Sequence, residues 1–320
     1  MRPALFHHPR CADHFAGPGH PERPERAAAV LRGLEEGGLL AELDRREPQP
    51  AALERVLAVH APEHVRLVEA ACARGRALLD QGDTYVCEAS LEAALLAAGA
   101  ALEAAEGVAR GRWANAFVVT RPPGHHAERD RPLGFCLFNG VAIAARHLRS
   151  ELGLERVAIV DWDVHHGNGT QHIFEADPSV FYASLHQYPH YPGTGAASER
   201  GIGDGEGATL NCPLPAGSGD AQWLRAFEGL VLPALDAFRP ELVLVSCGFD
   251  AHRADPLSGT LLSEDAFRRM TRSLAELARR HAQGRLVSIL EGGYDLGALA
   301  ACARAHVEEL AESGKIPPAS

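Results

Sequence analysis

The sequence has little lysine, no CxxC cysteine pair and no long apolar stretch. Of its 31 basic side chains only one, Lys315, is a lysine. No uninterrupted apolar run reaches the roughly eighteen residues that a membrane-spanning helix needs, so such a helix is excluded. The first ten residues, MRPALFHHPR, contain no apolar secretion core, because Pro3, His7 and His8 stand where it would be. We therefore expect a cytoplasmic protein.

The chain also lacks a basic surface and a cysteine framework. Acidic residues number 42 against 31 basic ones, which gives a net charge of −11, and the two signs are interspersed along the chain. Without a basic stripe the chain is poorly suited to a phosphate backbone, which argues against nucleic acid as a partner. The seven cysteines are odd in number and widely spaced, so they predict neither disulfides nor a thiolate zinc site.

Short apolar runs alternate with longer helical stretches, the pattern of a parallel sheet covered by helices. The predicted strands are Ala116–Thr120, Val157–Val160, Val180–Ala183, Leu242–Ser246 and Leu286–Leu290. The predicted helices are Leu91–Ala109, Asn139–Glu151, Asp220–Phe238 and Ser263–Gln283, the last capped at Ser263, with further helices within 26–46 and 62–80. Residues 186–219 are rich in glycine and proline and predict a long loop. No linker divides the chain, so we expect one α/β domain over residues 1–320.

Every predicted strand is followed by polar or glycine-rich residues. In open parallel sheets ligands bind beyond the carboxyl ends of the strands, so these segments are expected to converge on one site. The segments are Arg121–His126, Asp161–Asn168, Ser184–His186, Cys247–Asp250 and Glu291–Tyr294.

Two of these segments offer metal ligands. Asp163 and His165 are two residues apart in an extended segment, so their side chains leave on the same face. Asp250, at the end of another strand, supplies a third ligand. One imidazole and two carboxylates with an open position suit a catalytic zinc. The alternative is a hydrogen-bonded cluster of Asp161, Asp163 and His165 without metal.

A zinc-activated water needs a base to accept its proton and an acid for the leaving group, and histidine suits both tasks. His125 and His126 follow a Pro-Pro-Gly turn that fixes their backbone. Asp161 orienting one imidazole and Asn168 orienting the other would separate their pKa values, because a carboxylate raises a histidine pKa and an amide does not. Tyr294 follows two glycines and is a candidate hydrogen-bond donor to an oxyanion, unless it is a plain loop tyrosine.

Five strings in order resemble the zinc-dependent histone deacetylase superfamily, above all its class II branch and bacterial deacetylase-like amidohydrolases. They are RPPGHHAERDRPLGFCLFN, VDWDVHHGNGTQHIF, SLHQYPHYPGTG, VSCGFDAHRADPLSG and LEGGYDL, and the resemblance runs from about Gly19 to Leu296. It implies a three-layer α/β/α fold of the arginase/deacetylase type with a mainly parallel central sheet.

Carried over residue by residue, the resemblance implies zinc ligands at Asp163, His165 and Asp250. It implies that His125 pairs with Asp161, that His126 is the general base and acid, and that Tyr294 polarises the acyl carbonyl. Asn168 stands where the class I branch has aspartate, which places the chain nearer class II.

The resemblance also implies contacts to the substrate. Phe135, with the neighbouring Gly134, and Tyr191 match positions that line the tunnel for the acyl-lysine side chain. Asp83 lies near the family's contact to the substrate backbone. Leu257 stands where one polyamine-selective branch has glutamate, which favours acyl-lysine, although an acid from another loop could serve.

A structural potassium ion is implied by the resemblance as well. Its ligands would be the side chains of Asp161 and Ser184 and the backbone carbonyls of Asp163, His165 and Leu185.

The function predicted from these observations is zinc-dependent removal of acetyl or other acyl groups from the side-chain amine of acyl-lysine in proteins or peptides. The first alternative is an acetylpolyamine amidohydrolase, which would act on an acylated small amine with the same zinc. The second is an acyl-ligand binding protein without turnover. A nucleotide-binding domain is disfavoured, because the glycine-rich GIGDGEG neither follows a predicted strand nor opens a helix.

Overall fold

A central sheet of eight strands organises the chain. The computed structural model describes residues 1–80 and 82–315. The strands are β1 (Ala4–Phe6), β2 (Asp44–Arg46), β3 (Ala77–Leu78), β4 (Tyr85–Val86), β5 (Ala116–Val118), β6 (Val157–Asp161), β7 (Val180–Gln187), β8 (Thr209–Leu214), β9 (Leu242–Cys247) and β10 (Leu286–Leu290). The sheet has the order β2-β1-β5-β10-β9-β6-β7-β8, and each neighbouring pair is parallel. Strands β3 and β4 form a separate antiparallel hairpin.

Helices cover both faces of this sheet. They are α1 (Glu25–Glu36), α2 (Leu53–Leu57), α3 (Pro62–Ala73), α4 (Ser90–Ala109), α5 (Gly140–Ser150), α6 (Asn168–Phe174), α7 (Asp220–Ala226), α8 (Leu232–Phe238), α9 (Glu264–His281) and α10 (Leu296–Lys315). In β5, Phe117 joins the apolar core formed with α1 and α7 to α10, while Ala116 and Val118 join the core formed with α2 to α6. This alternation buries both sheet faces, which gives the expected three layers. Burial of a side chain such as Phe117 stabilises the fold by about 2 kcal/mol.

The five predicted strands are confirmed, with small shifts at their ends. Strand β5 ends at Val118 instead of Thr120, and β7 continues to Gln187. Three strands of the sheet were missed. Strands β1 and β2 are only three residues long, and β2 is charged and lies in a segment predicted to be helical. Strand β8 lies in the predicted 186–219 loop and contains Pro213, which an edge strand tolerates because it needs fewer backbone donors.

The prediction of one helix over Asp220–Phe238 is wrong in detail. Helices α7 and α8 are separated by a π-helical turn at Phe227–Val231. Pro233 has no amide hydrogen, so it interrupts the regular pattern of helical backbone hydrogen bonds at this point. Ser263 does precede α9, but its hydroxyl donates to Asp220 instead of capping the helix backbone. The predicted 62–80 helix ends at Ala73, before β3.

The strand order brings the polar segments together. Strands β5, β10, β9, β6 and β7 are consecutive neighbours, and because they are parallel their carboxyl ends meet at one edge. No helix within residues 1–80 and 82–315 is both long and apolar enough to cross a membrane.

Candidate active site

One imidazole and two carboxylates converge at this edge. Asp163 and His165 follow β6, and Asp250 follows the neighbouring β9. His165 Nδ1 lies 3.0 Å from Asp163 Oδ1 and 3.1 Å from Asp250 Oδ2. All three residues are buried, and one ligand atom from each lies within 4.8 Å of the others. The structure therefore assembles the predicted metal ligands in one place.

Two glycines and two backbone amides hold the carboxylates in position. A Cβ atom on Gly248 would lie 2.2 Å from Asp163 Oδ2, and one on Gly292 would lie 2.0 Å from Asp250 Oδ2, so neither position has room for a side chain. Gly292 N donates to Asp163 Oδ2 over 2.7 Å, and Val164 N donates to Asp250 Oδ1 over 2.8 Å. Each carboxylate thus has one oxygen held by these amides and the other next to the His165 ring, where Asp163 Oδ1 also accepts from His165 N over 2.9 Å.

The electrostatics of this cluster suit a cation. Burial and the nearby charge of Asp163 raise the pKa of Asp250 to about 7. Burial disfavours the imidazolium of His165, but the two carboxylates outweigh it and raise its pKa to about 10. Positive charge is thus favoured where the three side chains meet. One nitrogen and two oxygen ligands fit a divalent ion with an open fourth position, so we identify the cluster as a candidate metal centre.

A pair of imidazoles lies beside the metal centre. His125 Nδ1 is 3.0 Å from Asp161 Oδ2, and His126 Nδ1 is 2.7 Å from Asn168 Oδ1. The two ring centroids are 4.0 Å apart, and the His126 ring lies 5.9 Å from that of His165. All of the sequence-predicted partners are therefore in hydrogen-bonding position.

The two histidines differ in pKa in the direction expected from their partners. Burial opposes the charged form of His125, but the carboxylates of Asp161 and Asp163 prevail and raise its pKa to about 10. Burial and the neighbouring imidazole of His125 lower the pKa of His126 well below its usual value. His126 is thus the neutral member of the pair and the one able to accept a proton.

Glu291 supports the histidine pair and was not predicted as a site residue. Its buried carboxylate accepts hydrogen bonds from the backbone amides of Gly124 and His125, at 2.7 and 3.1 Å. Burial raises the pKa of Glu291 to about 7. The signal in the sequence was its place at the end of a strand, directly before the Gly-Gly-Tyr segment.

Tyr294 is held close to the metal centre by two further residues that sequence reasoning missed. Tyr294 N donates to Asp255 Oδ2 over 2.6 Å. The guanidinium carbon of Arg26 lies 4.9 Å from the Tyr294 ring, and Arg26 Nε donates to the carbonyl of Gly293 over 2.7 Å. Burial raises the pKa of the Tyr294 phenol well above its usual value, so the hydroxyl keeps its proton and can donate it in a hydrogen bond.

Aromatic rings surround the approach to His126. The Tyr191 ring lies 5.2 Å from the His126 ring, and the Phe135 ring lies 5.9 Å from that of Tyr294. A Cβ atom on Gly134 would lie 2.4 Å from His126 Cδ2 and 3.0 Å from Tyr191 Cε1. The structure thus places Phe135, Gly134 and Tyr191 around the proposed base, with Tyr191 42% exposed at the outer end.

The two remaining predicted substrate contacts lie farther out. Asp83 is exposed, and its backbone carbonyl accepts a hydrogen bond from His20 Nε2 at 3.1 Å. Leu257 is half-buried, and its carbonyl accepts from His190 Nε2 at 3.0 Å. His190, which was not predicted, also stacks on His165 of the candidate metal centre, with ring centroids 5.0 Å apart.

The side chains expected to bind potassium have protein partners. Asp161 and Ser184 lie opposite each other in β6 and β7, with Leu185 next along β7. Asp161 Oδ1 accepts from Asp163 N at 3.1 Å, and Ser184 Oγ lies 2.9 Å from His186 Nδ1. The potassium site stays a prediction.

Comparisons with known proteins decide the family. The sequence model of the histone deacetylase domain matches residues 20–310. The chain belongs to the histone deacetylase family. The probable deacetylase of Archaeoglobus fulgidus is 42% identical over 303 residues, which covers 93% of this chain and 83% of the relative. The histone deacetylase-like amidohydrolase of Pseudomonas aeruginosa is 40% identical over 327 aligned positions, which covers 97% of this chain and 86% of the relative.

A solved histone deacetylase structure has the same fold. The crystal structure of the HDA15 HD domain matches this chain with a TM-score of 0.93 at 39% identity, covering 100% of this chain and 91% of that one. The resemblance inferred from the five sequence strings and the α/β deacetylase fold are therefore confirmed. Membership of this family of deacetylases and amidohydrolases supports hydrolase activity on acylated amines.

Proposed function

We propose that the chain is a zinc-dependent amidohydrolase that removes acetyl or other acyl groups from the side-chain amine of acyl-lysine in proteins or peptides. One observation carries the proposal. The ligand atoms of Asp163, His165 and Asp250 converge within 4.8 Å at the base of an aromatic-lined approach, beside two imidazoles of different basicity. A site that only bound acyl groups would need no such pair of imidazoles.

The three ligands define what an ion would contribute here. Zinc accepts one nitrogen and two oxygen ligands in tetrahedral geometry and leaves a position open. When bound, it would supply a water of lowered pKa and polarise the acyl oxygen.

The remaining steps belong to side chains of the protein. His126 Nδ1 donates to Asn168, which leaves Nε2 unprotonated and able to take the proton from the attacking water. The same nitrogen then returns this proton to the departing amine. His125 Nε2 lies 3.8 Å from Asp163 Oδ1, so its cationic ring adds positive charge next to the site.

Tyr294 supplies the second stabilising contact. Its buried phenol keeps its proton and donates a hydrogen bond to the oxygen that becomes negative when the acyl carbon is attacked. Arg26 and Asp255 fix the position of this tyrosine through the contacts described above.

The approach to the site favours a long apolar substrate arm. The rings of Phe135 and Tyr191 suit the methylene chain of lysine, which gains from burial against aromatic surface. Leu257 places no acid at the position where a polyamine cation would be held, and this supports acyl-lysine over an acetylated polyamine.

A panel of acylated amines tests the proposal. An acetyl-lysine peptide should be hydrolysed, an acetylated polyamine of equal concentration should be hydrolysed at least about tenfold more slowly, and a strong zinc chelator should abolish both activities until zinc is restored. Faster turnover of the polyamine would make the chain an acetylpolyamine amidohydrolase. Turnover that survives removal of all metal would contradict the proposed mechanism.

A further inference from the structure

We propose that Glu128 is a positioning residue for His126 and acts through the side-chain amide of Asn168. The inference deepens the proposed function and rests on it, because it explains how His126 presents the correct nitrogen as a base. Glu128 lies in the segment between the histidine pair and Phe135, and no role is assigned to it above.

A chain of three short hydrogen bonds runs outward from the active-site histidine. His126 Nδ1 donates to Asn168 Oδ1 over 2.7 Å, and Asn168 Nδ2 donates to Glu128 Oε1 over 2.6 Å. The same Glu128 oxygen accepts from His172 Nδ1 at 2.8 Å. Glu128 is 6% exposed, whereas the His172 side chain is 38% exposed. These hydrogen bonds therefore connect the buried site to the surface.

The side-chain amide of Asn168 determines which group donates and which accepts in each of these hydrogen bonds. An asparagine side chain has one accepting and one donating end, and its shape alone does not decide which end faces which neighbour. A carboxylate oxygen carries no hydrogen and can only accept, so Asn168 must turn its NH₂ group towards Glu128 Oε1. Its oxygen then faces His126 and can only accept, so His126 Nδ1 must carry the proton. The tautomer with a free Nε2 is thereby selected.

The local fold places Asn168 and His172, the two donors, within reach of the Glu128 carboxylate. Asn168 and His172 are four residues apart in α6 and therefore lie on one helix face, where both reach Glu128. Gly169 lets the helix lie against the histidine segment, since a Cβ atom there would be 2.2 Å from the carbonyl oxygen of Ala127.

The backbone of Glu128 is fixed from two sides. Its amide donates to the carbonyl of Arg131 over 3.0 Å, and its carbonyl accepts from His60 Nδ1 at 2.8 Å. The Glu128 carboxylate is therefore held in place as the acceptor for the NH₂ group of Asn168. His125 differs, because Asp161 contacts its ring directly and adds charge to it, while Glu128 orients His126 without touching it.

The main test uses zinc-loaded full-length protein with ¹⁵N-labelled histidine. The ¹⁵N shifts of His126, assigned by their loss in a His126→Gln variant, should show a protonated Nδ1 and an unprotonated Nε2 in the wild type. In Glu128→Leu nothing fixes which end of the Asn168 amide faces His126, so we expect both tautomers of His126. Because part of the protein keeps the active tautomer, kcat should fall by about 10- to 100-fold at unchanged KM, less than most of the roughly 10²- to 10⁴-fold that a general base contributes. Glu128→Gln, which can still present an oxygen to Asn168, should stay within about threefold of wild type.

A rescue experiment covers the case in which Glu128→Leu folds poorly. Asn168→Asp sets a second carboxylate against Glu128 and should lower kcat. Adding Glu128→Gln gives that carboxylate a donor and should restore most of the loss. Glu106→Leu is the matched control, because it breaks a half-buried Glu–His pair with His147 far from the site and should leave both kcat and the His126 shifts unchanged.

An unchanged His126 tautomer in Glu128→Leu, or failure of the double variant to recover any activity, would overturn the inference. If the wild type hydrolyses neither acyl-lysine nor acylpolyamine, the proposed function fails, but the tautomer measurement still decides the role of Glu128.

Discussion

Replacement of Gly292 by alanine should strongly weaken metal binding without removing any ligand. The added methyl would lie 2.0 Å from Asp250 Oδ2 and 2.6 Å from Asp163 Oδ2, where ordinary contacts begin near 3.4 Å. At least one carboxylate must therefore move by more than about 1 Å, whereas ligand distances at metal sites tolerate only about 0.2 Å. Changes that merely disturb ligand orientation cost about 10- to 100-fold in affinity, so a displaced ligand should cost at least about 100-fold.

The assay for Gly292→Ala is zinc affinity by calorimetry, with acetyl-lysine hydrolysis measured in parallel. Gly292 does not have a left-handed backbone, so alanine itself is not strained there. Gly297→Ala is the matched control, because its methyl would meet only Asp295 Oδ1 at 3.4 Å. A Gly292→Ala protein that is folded and binds zinc as tightly as wild type would refute the claim that this glycine makes room for the two ligands.

Three further predictions follow from individual contacts. Tyr294→Phe should retain zinc but lose about 10² to 10³ in kcat, as is typical for loss of one oxyanion donor, and near wild-type turnover would remove Tyr294 from the mechanism. Burial lowers the pKa of His306 to about 3, so below pH 6.5 the unfolded chain binds more protons at this residue than the folded chain does. The free energy of unfolding should therefore fall as the pH drops from 6.5 towards 3. His306→Leu should remove about 2 kcal/mol of that fall at pH 5 in urea titrations, and an unchanged pH dependence would contradict the assignment. A side-chain hydrogen bond with His14 lowers the pKa of the half-buried Cys87 to about 6. Alkylation at pH 7 should therefore modify Cys87 before the six buried cysteines, and mass spectrometry of the alkylated protein checks this order.

Much of the fold was readable in the sequence because the central strands are buried on both faces. Strands β6, β9 and β10 are mostly apolar without alternation and are followed by polar or glycine-rich residues, and neighbouring parallel strands bring those residues to one edge. Strands β2 and β8 were missed because edge strands are partly exposed and carry charge or proline in place of an apolar run. Their pairing depends on neighbours that are distant in sequence.

Some residues of the candidate site could be predicted from the sequence and others could not. Asp163 and His165 could be proposed as ligands because their spacing alone puts them on one face of an extended segment. Glu128, Glu291 and His190 contact residues that are distant in the sequence, and no local spacing reveals such contacts.

The amount of zinc bound per chain is the most direct test of the central claim. We expect one tightly bound zinc in the wild type and in the surface control Asp236→Ala, whose carboxylate pairs with Arg280 and His281 of α9. Asp250→Ala should lose that zinc while remaining folded. Full zinc occupancy in Asp250→Ala with unchanged affinity, or a wild-type chain that binds none, would contradict the account.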